Sequence, residues 1–311
     1  MEKIKLFTHC DLDGVGCSIL GKLAFTSIDV SYCNYDKIDE LVTKFITDKE
    51  YLNYNFVYIT DISLKQETID LINNTKPENF KEGFLLNEMF QLLDHHATAE
   101  HLNENFWCEV KSEENDEKVS GTSLFYNDLK ENYYLSGDAF AFSEICRKYD
   151  TWLWKTKYND NEPKKWNDLL YILGREDFEN YVIDKINSDD LCLDEFALKI
   201  LELEQRKIDE YIKEKDKTLI VKEILGYQAG VVFSETYTSE LGNRLAEMHP
   251  ELDFIVLIWM KGAISYRTVK DIDLGKDIAK VYGGGGHAKA AGSEFSQDII
   301  ENFIDILFKT T

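Results

Sequence analysis

Lys3-Ile4-Lys5-Leu6-Phe7-Thr8-His9-Cys10-Asp11-Leu12-Asp13-Gly14-Val15-Gly16-Cys17-Ser18-Ile19-Leu20 passes from a short β-rich segment through a polar cluster into helical apolar spacing. Lys3–Thr8 reads as a strand, and Val15, Ile19, Leu20 and Leu23 share one face of a helix over Gly14–Phe25. The order strand, loop, helix then recurs. Asp29–Cys33 is a strand before a helical Ile38–Ile46, Phe56–Thr60 is a strand that stops at Asp61 before a helix around Gln66–Ile72, and Gln91–Leu93 ends at Asp94. Such alternation predicts an α/β fold: a parallel sheet with helices on both faces, whose ligands sit at the carboxyl ends of strands. His9, Asp11, Asp13, Asp61 and Asp94-His95-His96 all lie just past those ends.

Further along, two helical segments, Thr122–Leu129 and Asp138–Lys148, lead to Asp150-Thr151-Trp152-Leu153-Trp154. Leu193–Lys217 is a long amphipathic stretch with Phe196, Ile200, Leu203 and Ile208 between charges. Beyond it come a strand at Ala229–Phe233, a helix at Ser239–Met248, a hairpin of Phe254–Trp259 and Ala263–Thr268, a helix over Leu274–Tyr282 and a last helix over Ile299–Phe308. The expected organisation is an N-terminal parallel-sheet domain over 1–190, a helical connector over 191–217 and a smaller α/β domain with a mixed sheet over 218–311.

The 311 residues are 44% hydrophobic, too apolar for a disordered chain and long enough for two packed domains. Thirty-five basic against 58 acidic residues give a net charge of −23, a field that repels long polyanions and argues against a duplex-DNA binder. The segment from Thr218 onward contributes only −4, so −19 sits in the first 217 residues with the carboxylate clusters. No run of 18 apolar residues and no signal-peptide pattern occurs, so a cytoplasmic protein without membrane contact is expected. Six cysteines without a C-x-x-C pair read as reduced, mostly buried thiols. Glu113-Glu114-Asn115-Asp116-Glu117 reads as a solvated surface loop.

Four constellations carry ligand chemistry. In His9-Cys10-Asp11-Leu12-Asp13-Gly14, donors at alternate positions before a turn-forming glycine suit a loop around a hard or borderline cation; the competing reading is a turn that caps the next helix through Asp13. Asp61 ends its strand as either a ligand or a helix cap. Asp94-His95-His96 offers adjacent imidazoles that point apart, one for metal and one for substrate, or else a buried hydrogen-bonded pair. Asp150 is a ligand or a helix-end acid, and Asp138, close to it in sequence, is counted with the same site. Together these oxygen and nitrogen donors are about what two divalent ions need, with Mn²⁺ or Mg²⁺ favoured over a cysteine-bound zinc.

A fifth element is Gly283-Gly284-Gly285-Gly286-His287-Ala288-Lys289-Ala290-Ala291-Gly292, readable as an anion nest or as a hinge. Nearby, strand alternation puts Ser265 and Arg267 on one face, and Arg267, one of only five arginines, is either a phosphate fork or a surface residue.

In order, His9-x-Asp11-x-Asp13-Gly14, Asp61, Asp94-His95-His96 and Asp150 resemble the motifs of the DHH phosphoesterases. Gly284-Gly285-Gly286-His287 with Ala290-Ala291-Gly292 resembles the GGGH signature of their associated C-terminal domain. The H-x-D-x-D-G spacing and Tyr149-Asp150-Thr151-Trp152 look most like the NrnB-type oligoribonucleases, or nanoRNases, and next most like RecJ exonucleases. The resemblance implies two Mn²⁺ ions held by His9, Asp11, Asp13, Asp61, Asp94, His95 and Asp150, with Asp61 bridging and also catalytic. His96 would face the scissile phosphate, and Ser265, Arg267, Gly284, Gly285, Gly286 and His287 would hold the nucleotide end.

The function so implied is metal-dependent hydrolysis of short RNA or DNA oligonucleotides to mononucleotides from an end, by water activated between two metals. The alternatives are a 3′-phosphoadenosine 5′-phosphate phosphatase, a cyclic-dinucleotide hydrolase or, in another class, a catalytically inactive scaffold that has lost its ligands. The expected partners are a short oligonucleotide or nucleotide substrate, with no long duplex DNA and no membrane, and a homodimer is left open.

Overall fold

The computed structural model describes residues 2–77 and 80–308; the outer limits of the two expected domains, 1 and 311, lie outside them. The first strand, β1 (Ile4–Thr8), is followed by α1 (Leu12–Ala24), β2 (Ile28–Tyr32), α2 (Ile38–Thr47), β3 (Phe56–Thr60), α3 (Gln66–Asn74), β4 (Phe90–Asp94) and β5 (Cys108–Val110). These strands form one five-stranded sheet in the order β2-β1-β3-β4-β5. Every pairing is parallel, with Thr8 opposite both Tyr32 and Thr60. Alternation along the strands supplies two cores. Ile4, Leu6, Tyr58 and Leu93 face a core that includes Val15, Ile19 and Leu20 of α1, whereas Phe7, Val57, Ile59 and Leu92 face Val42 and Phe45 of α2 and Ile69 of α3.

The chain leaves β1 for β2 on one side and returns to β3 on the other, so the sheet changes winding direction between β1 and β3. Side chains following those two strands therefore meet at the crevice where open α/β sheets bind ligands. This is why residues 9 to 13 and Asp61 can converge from distant parts of the sequence.

Glu113–Glu114 (β6) and Glu117–Lys118 (β7) pair as a small hairpin where a solvated loop was expected. Asn115 and Asp116 between them both take positive φ, 52° and 64°, as a tight two-residue turn matched to strand twist requires. The helices α4 (Gly121–Leu129), α5 (Gly137–Asp150), α6 (Leu153–Thr156), α7 (Glu162–Leu173) and α8 (Arg175–Asn187) follow. Phe125, Phe142, Trp166 and Phe178 from four of them are fully buried in the α1 core.

The chain divides into two compact units, the first ending at Leu201 and the second beginning at Glu202. The division falls within one continuous helix, α9 (Glu195–Asp216), whose Ala197 is buried in the first unit's core and whose Ile212 is buried in the second's.

The second unit contains β8 (Ile220–Ile224), β9 (Tyr227–Phe233), α10 (Thr238–Met248), β10 (Phe254–Trp259), β11 (Ala263–Arg267), β12 (Gly285–Gly286), β13 (Ala290–Glu294) and α11 (Gln297–Phe308). Its six strands are ordered β12-β13-β11-β10-β9-β8, with β9 and β10 parallel and the other neighbours antiparallel, a mixed sheet as expected.

The helix expected over Leu274–Tyr282 is instead a wide π turn, Leu274–Ile278, running into a 3-10 turn, Ala279–Tyr282. Leu274, Ile278 and Ala279 are all buried together, and the wider turn brings all three onto one face. No helix among the described residues is long and apolar enough to cross a membrane.

Candidate metal and phosphoester site

Asp11, rather than Asp13, caps α1: its Oδ1 accepts the Gly14 N–H at 3.1 Å. Asp13 is thereby drawn into the first helical turn and buried. It accepts from two backbone groups at the N-terminus of α4, Gly121 N–H to Oδ2 at 2.6 Å and Thr122 N–H to Oδ1 at 3.1 Å. The positive end of that helix supports the buried carboxylate. Gly121 has to be glycine, because a Cβ there would lie 2.5 Å from Asp61 Cβ. The hydroxyls of Thr8 and Thr60 tie β1 to β3 beneath the loop: Thr60 donates to Thr8, and Thr8 donates to the Gly14 carbonyl, each at 3.0 Å.

Asp61 does not cap α3, which begins five residues later. It is buried with φ +59°, a left-handed backbone unusual for a non-glycine residue and of the kind that concentrates at functional sites. Its Oδ1 lies 3.2 Å from His95 Nε2, which is also 3.4 Å from Asp150 Oδ2 and 3.7 Å from Asp13 Oδ2. His9 Nδ1 is 2.9 Å from Asp11 Oδ2 and 3.9 Å from Asp61 Oδ2. Asp150 is the last residue of α5, so helix end and site member are the same position.

Asp94 is held differently. Its Oδ1 accepts from the His95 N–H and faces His96 Nδ1, both at 2.8 Å, and its Oδ2 accepts from the Ser63 hydroxyl. Asp94 thus orients the His95-His96 pair, and both of its oxygens are already engaged. His96 Nε2 meets the Tyr35 hydroxyl at 3.0 Å.

Electrostatics define what the cluster lacks. Asp61 carboxyl is pushed well above the usual range by burial and then by Asp13 and Asp11. Asp150 rises to about 7 through burial, Asp13 and Asp11, against the opposing pull of His96 and His9. For Asp11 and Asp94 burial acts upward but loses to the histidines against them, His9 and His96 respectively, and both end below the usual value. The Asp94 hydrogen bond leads in raising His96. Two buried atoms, His9 Nδ1 and Asp61 Oδ2, have no hydrogen bond with adequate geometry.

Buried, mutually repelling carboxylates, with an oxygen and an imidazole nitrogen that make no well-aligned hydrogen bond, fit a divalent cation. Three sets of donor atoms lie within 4.8 Å of one another: Asp61, Asp94, His95 and His96; His9, Asp11 and Asp61; Asp13, His95 and Asp150. Asp61 belongs to two of the sets and His95 to two. All donors are oxygen or imidazole nitrogen, a set suited to Mn²⁺- or Mg²⁺-like ions.

Asp138 does not belong here. It sits in the first turn of α5, about 18 Å along the helix from Asp150 at 1.5 Å per residue, and its Oδ2 accepts the Leu191 N–H at 3.1 Å. Nearness in sequence does not survive a helix that points one end at the site. Tyr35, Ser63, Gly121 and Thr122 are the converse, site-building residues with no local sequence signal, because their partners lie 31 to 109 positions away.

In the second unit, Ser265 and Arg267 share a face of β11, while Tyr266 points to the opposite core. Arg267 Nη2 donates to Ser239 Oγ at 3.2 Å and Nη1 to its neighbour's carbonyl, Tyr266 O, at 2.9 Å; among the described residues no carboxylate lies within ion-pair distance of it. The glycine run is built into the same sheet. Gly285 pairs with Gly292, which pairs with Ser265, so glycine segment and β11 lie in one row. A Cβ on Gly284 would sit 2.0 Å from the Gly292 carbonyl oxygen, so close backbone packing demands glycine there. The N–H groups of Gly283, Gly284 and His287 donate to the carbonyls of Lys280, Ala279 and Ala290.

No family model matches the chain. It is 35% identical over 311 residues to the oligoribonuclease NrnB of Bacillus subtilis (strain 168), covering 98% of this chain and 76% of that one. A 3′,5′-cyclic-nucleotide phosphodiesterase of Helicobacter pylori is 21% identical over 351 residues, covering 94% of this chain and 93% of that one. Among solved structures, exonuclease RecJ bound to manganese superposes with a TM-score of 0.54 at 13% identity, over 97% of this chain and 88% of RecJ. A pGpG-specific phosphodiesterase from Vibrio cholerae superposes at 0.50 and 14% identity, over 99% and 98%. At those identities the two structures speak for the fold, which is RecJ-like. With the full set of motif acids and histidines gathered at the switch point of the sheet, and with identity of 35% across nearly its whole length, the chain belongs to the DHH-family phosphoesterases, in the group of the NrnB oligoribonucleases.

Proposed function

We propose that this chain hydrolyses short RNA or DNA oligonucleotides to mononucleotides from an end, with two Mn²⁺ ions as cofactors. The observation that carries the reading is the donor cluster around Asp61, whose buried Oδ2 and the facing His9 Nδ1 make no well-aligned hydrogen bond within the protein. Asp61, His9, Asp11, Asp13, His95 and Asp150 would hold the ions, with Asp94 holding the histidine pair. Bound divalent ions supply Lewis acidity: they neutralise the phosphate and make a water nucleophilic near neutral pH. The protein's own residues do the rest. His96, braced by Asp94, faces the scissile phosphate, and no side chain has to act as a covalent nucleophile. Arg267, with no carboxylate among the described residues within ion-pair distance, holds the nucleotide end with Ser265, Gly284, Gly285, Gly286 and His287.

Two features support short substrates. The net charge of −23 offers no basic track for a long strand, and the chain's similarity to an oligoribonuclease points the same way. Similarity to a cyclic-nucleotide phosphodiesterase favours one second reading, hydrolysis of a cyclic nucleotide at the same site. A substrate panel with Mn²⁺ separates them: 2- to 5-mers, a long single strand, 3′-phosphoadenosine 5′-phosphate, a cyclic mononucleotide and a cyclic dinucleotide. Fastest turnover of the short linear oligomers is expected. Equal or faster cutting of the long strand would overturn the size preference, and fastest turnover of a cyclic substrate would establish the second reading. A protein that binds no divalent ion would return it to the inactive-scaffold class.

A further inference from the structure

In the phosphodiesterase reading, on which this inference rests, His96 faces the scissile phosphate, yet its outward nitrogen is not open. Nδ1 is engaged by Asp94 Oδ1 at 2.8 Å, Asp94 Oδ2 accepts from Ser63, and Nε2 is met by the Tyr35 hydroxyl at 3.0 Å. The line Asp94, His96, Tyr35 has the order carboxylate, imidazole, hydroxyl. In that order the carboxylate fixes the imidazole and the far nitrogen exchanges a proton with the hydroxyl.

Tyr35 lies in the turn between β2 and α2, where Lys37 N–H closes onto the Asn34 carbonyl at 2.9 Å. Its ring is 4.8 Å from the His9 ring and meets His96 edge-on at 5.6 Å, so it stands over the ligand cluster while remaining 49% exposed. Among the described residues the ring contacts of Tyr35 are His9 and His96, it belongs to neither core of the first unit, and its hydroxyl meets His96.

We infer that Tyr35 is the group through which His96 reaches the substrate: the Tyr35 hydroxyl donates the proton that the leaving oxygen takes. As water adds to phosphorus and the bond from phosphorus to the leaving oxygen breaks, that oxygen takes the Tyr35 proton. The Tyr35 oxygen takes the proton on His96 Nε2. The proton released by the attacking water passes to solvent, and solvent reprotonates His96, so every proton and the bonding pair are accounted for.

The test compares Tyr35→Phe with wild type on two substrates of the full-length Mn²⁺-loaded protein: a dinucleotide, whose leaving sugar oxygen needs a proton, and the p-nitrophenyl ester of a nucleotide, whose leaving group does not. On the dinucleotide kcat should fall roughly 10²-fold, the lower range for general-acid catalysis, with KM changed less than about twofold. On the p-nitrophenyl ester the loss should be at least about tenfold smaller. The double variant Tyr35→Phe/His96→Gln should be no slower on the dinucleotide than His96→Gln alone, since the two residues act in series. Equal losses on both substrates, additive losses in the double variant, or no loss at all would overturn the inference. A wild type inert toward both substrates would instead overturn the phosphodiesterase reading and this step with it. Unchanged melting temperature and Mn²⁺ binding in Tyr35→Phe separate these outcomes from misfolding.

Discussion

Replacing Asp150 by Asn should make the metal-free protein more stable at pH 8 while changing little at pH 4. Burial, Asp13 and Asp11 raise this carboxyl from 3.8 to about 7, against His96 and His9. The folded value lies above the unfolded one, so the folded state holds the proton more tightly. The corresponding stability is whole below about pH 4 and is lost as the pH rises through about 7. At 1.36 kcal/mol per pKa unit, that rise amounts to about 4 kcal/mol. For a cooperative unit of roughly 200 residues, where 1 kcal/mol moves the melting temperature by about 2–4 °C, the change is about 8–16 °C. Asn has no charge to bury, so the variant should not lose this increment. Thermal or urea unfolding of wild type and variant in chelator, from pH 4.5 to 8.5, measures it as the difference between the two curves. His96, raised first by its Asp94 bond and also by Asp150, adds a loss of the same sign as pH rises, and the variant lacks the share of that loss due to Asp150. A difference that stays flat over this range, or a variant less stable at pH 8, would refute the reasoning.

Excess Mn²⁺ should raise the melting temperature of wild type more at pH 8 than at pH 5, because at the lower pH binding must displace protons from Asp61 and Asp150; an equal rise at both would contradict the proton competition. Asp61→Ala should abolish turnover, whereas Arg267→Ala should chiefly raise KM, and steady-state kinetics on a short oligomer would expose the reverse pattern. Gly121→Ala should destabilise by about 1–3 kcal/mol, the usual cost of overpacking, since its Cβ would press on Asp61; Gly137→Ala, with open space around it, is the control in the same melts and should show no such loss.

Much of this site was legible because the fold makes sequence order and site location coincide. A strand that ends at Asp61 or Asp94 delivers that residue to the ligand-binding edge of a parallel sheet, so the motif acids could be placed without knowing any long-range contact. What escaped was whatever depends on distant partners. Asp13 is fixed by α4 backbone more than 100 residues away, and Tyr35 by His96 from another loop. Asp138 was misplaced because helix length, not sequence proximity, sets distance along α5. In the second unit, the apolar spacing of Leu274–Tyr282 suggested an α-helix, but three neighbouring residues had to be buried together and a π turn does that. The glycine run also proved to be a sheet edge, with Gly284 packed on the Gly292 carbonyl, a tertiary demand that composition alone does not reveal.

The most direct test of the central claim is a product time course from a 5-mer labelled at each end in turn, with protein stripped by chelator and then given Mn²⁺ back. Metal-dependent hydrolysis of short oligonucleotides from an end predicts no cleavage in chelator and, on restoring Mn²⁺, mononucleotide released at once from one labelled end and only last from the other. Cleavage that persists without divalent ions, or internal cuts that yield two- and three-residue fragments from both labels together, would contradict it.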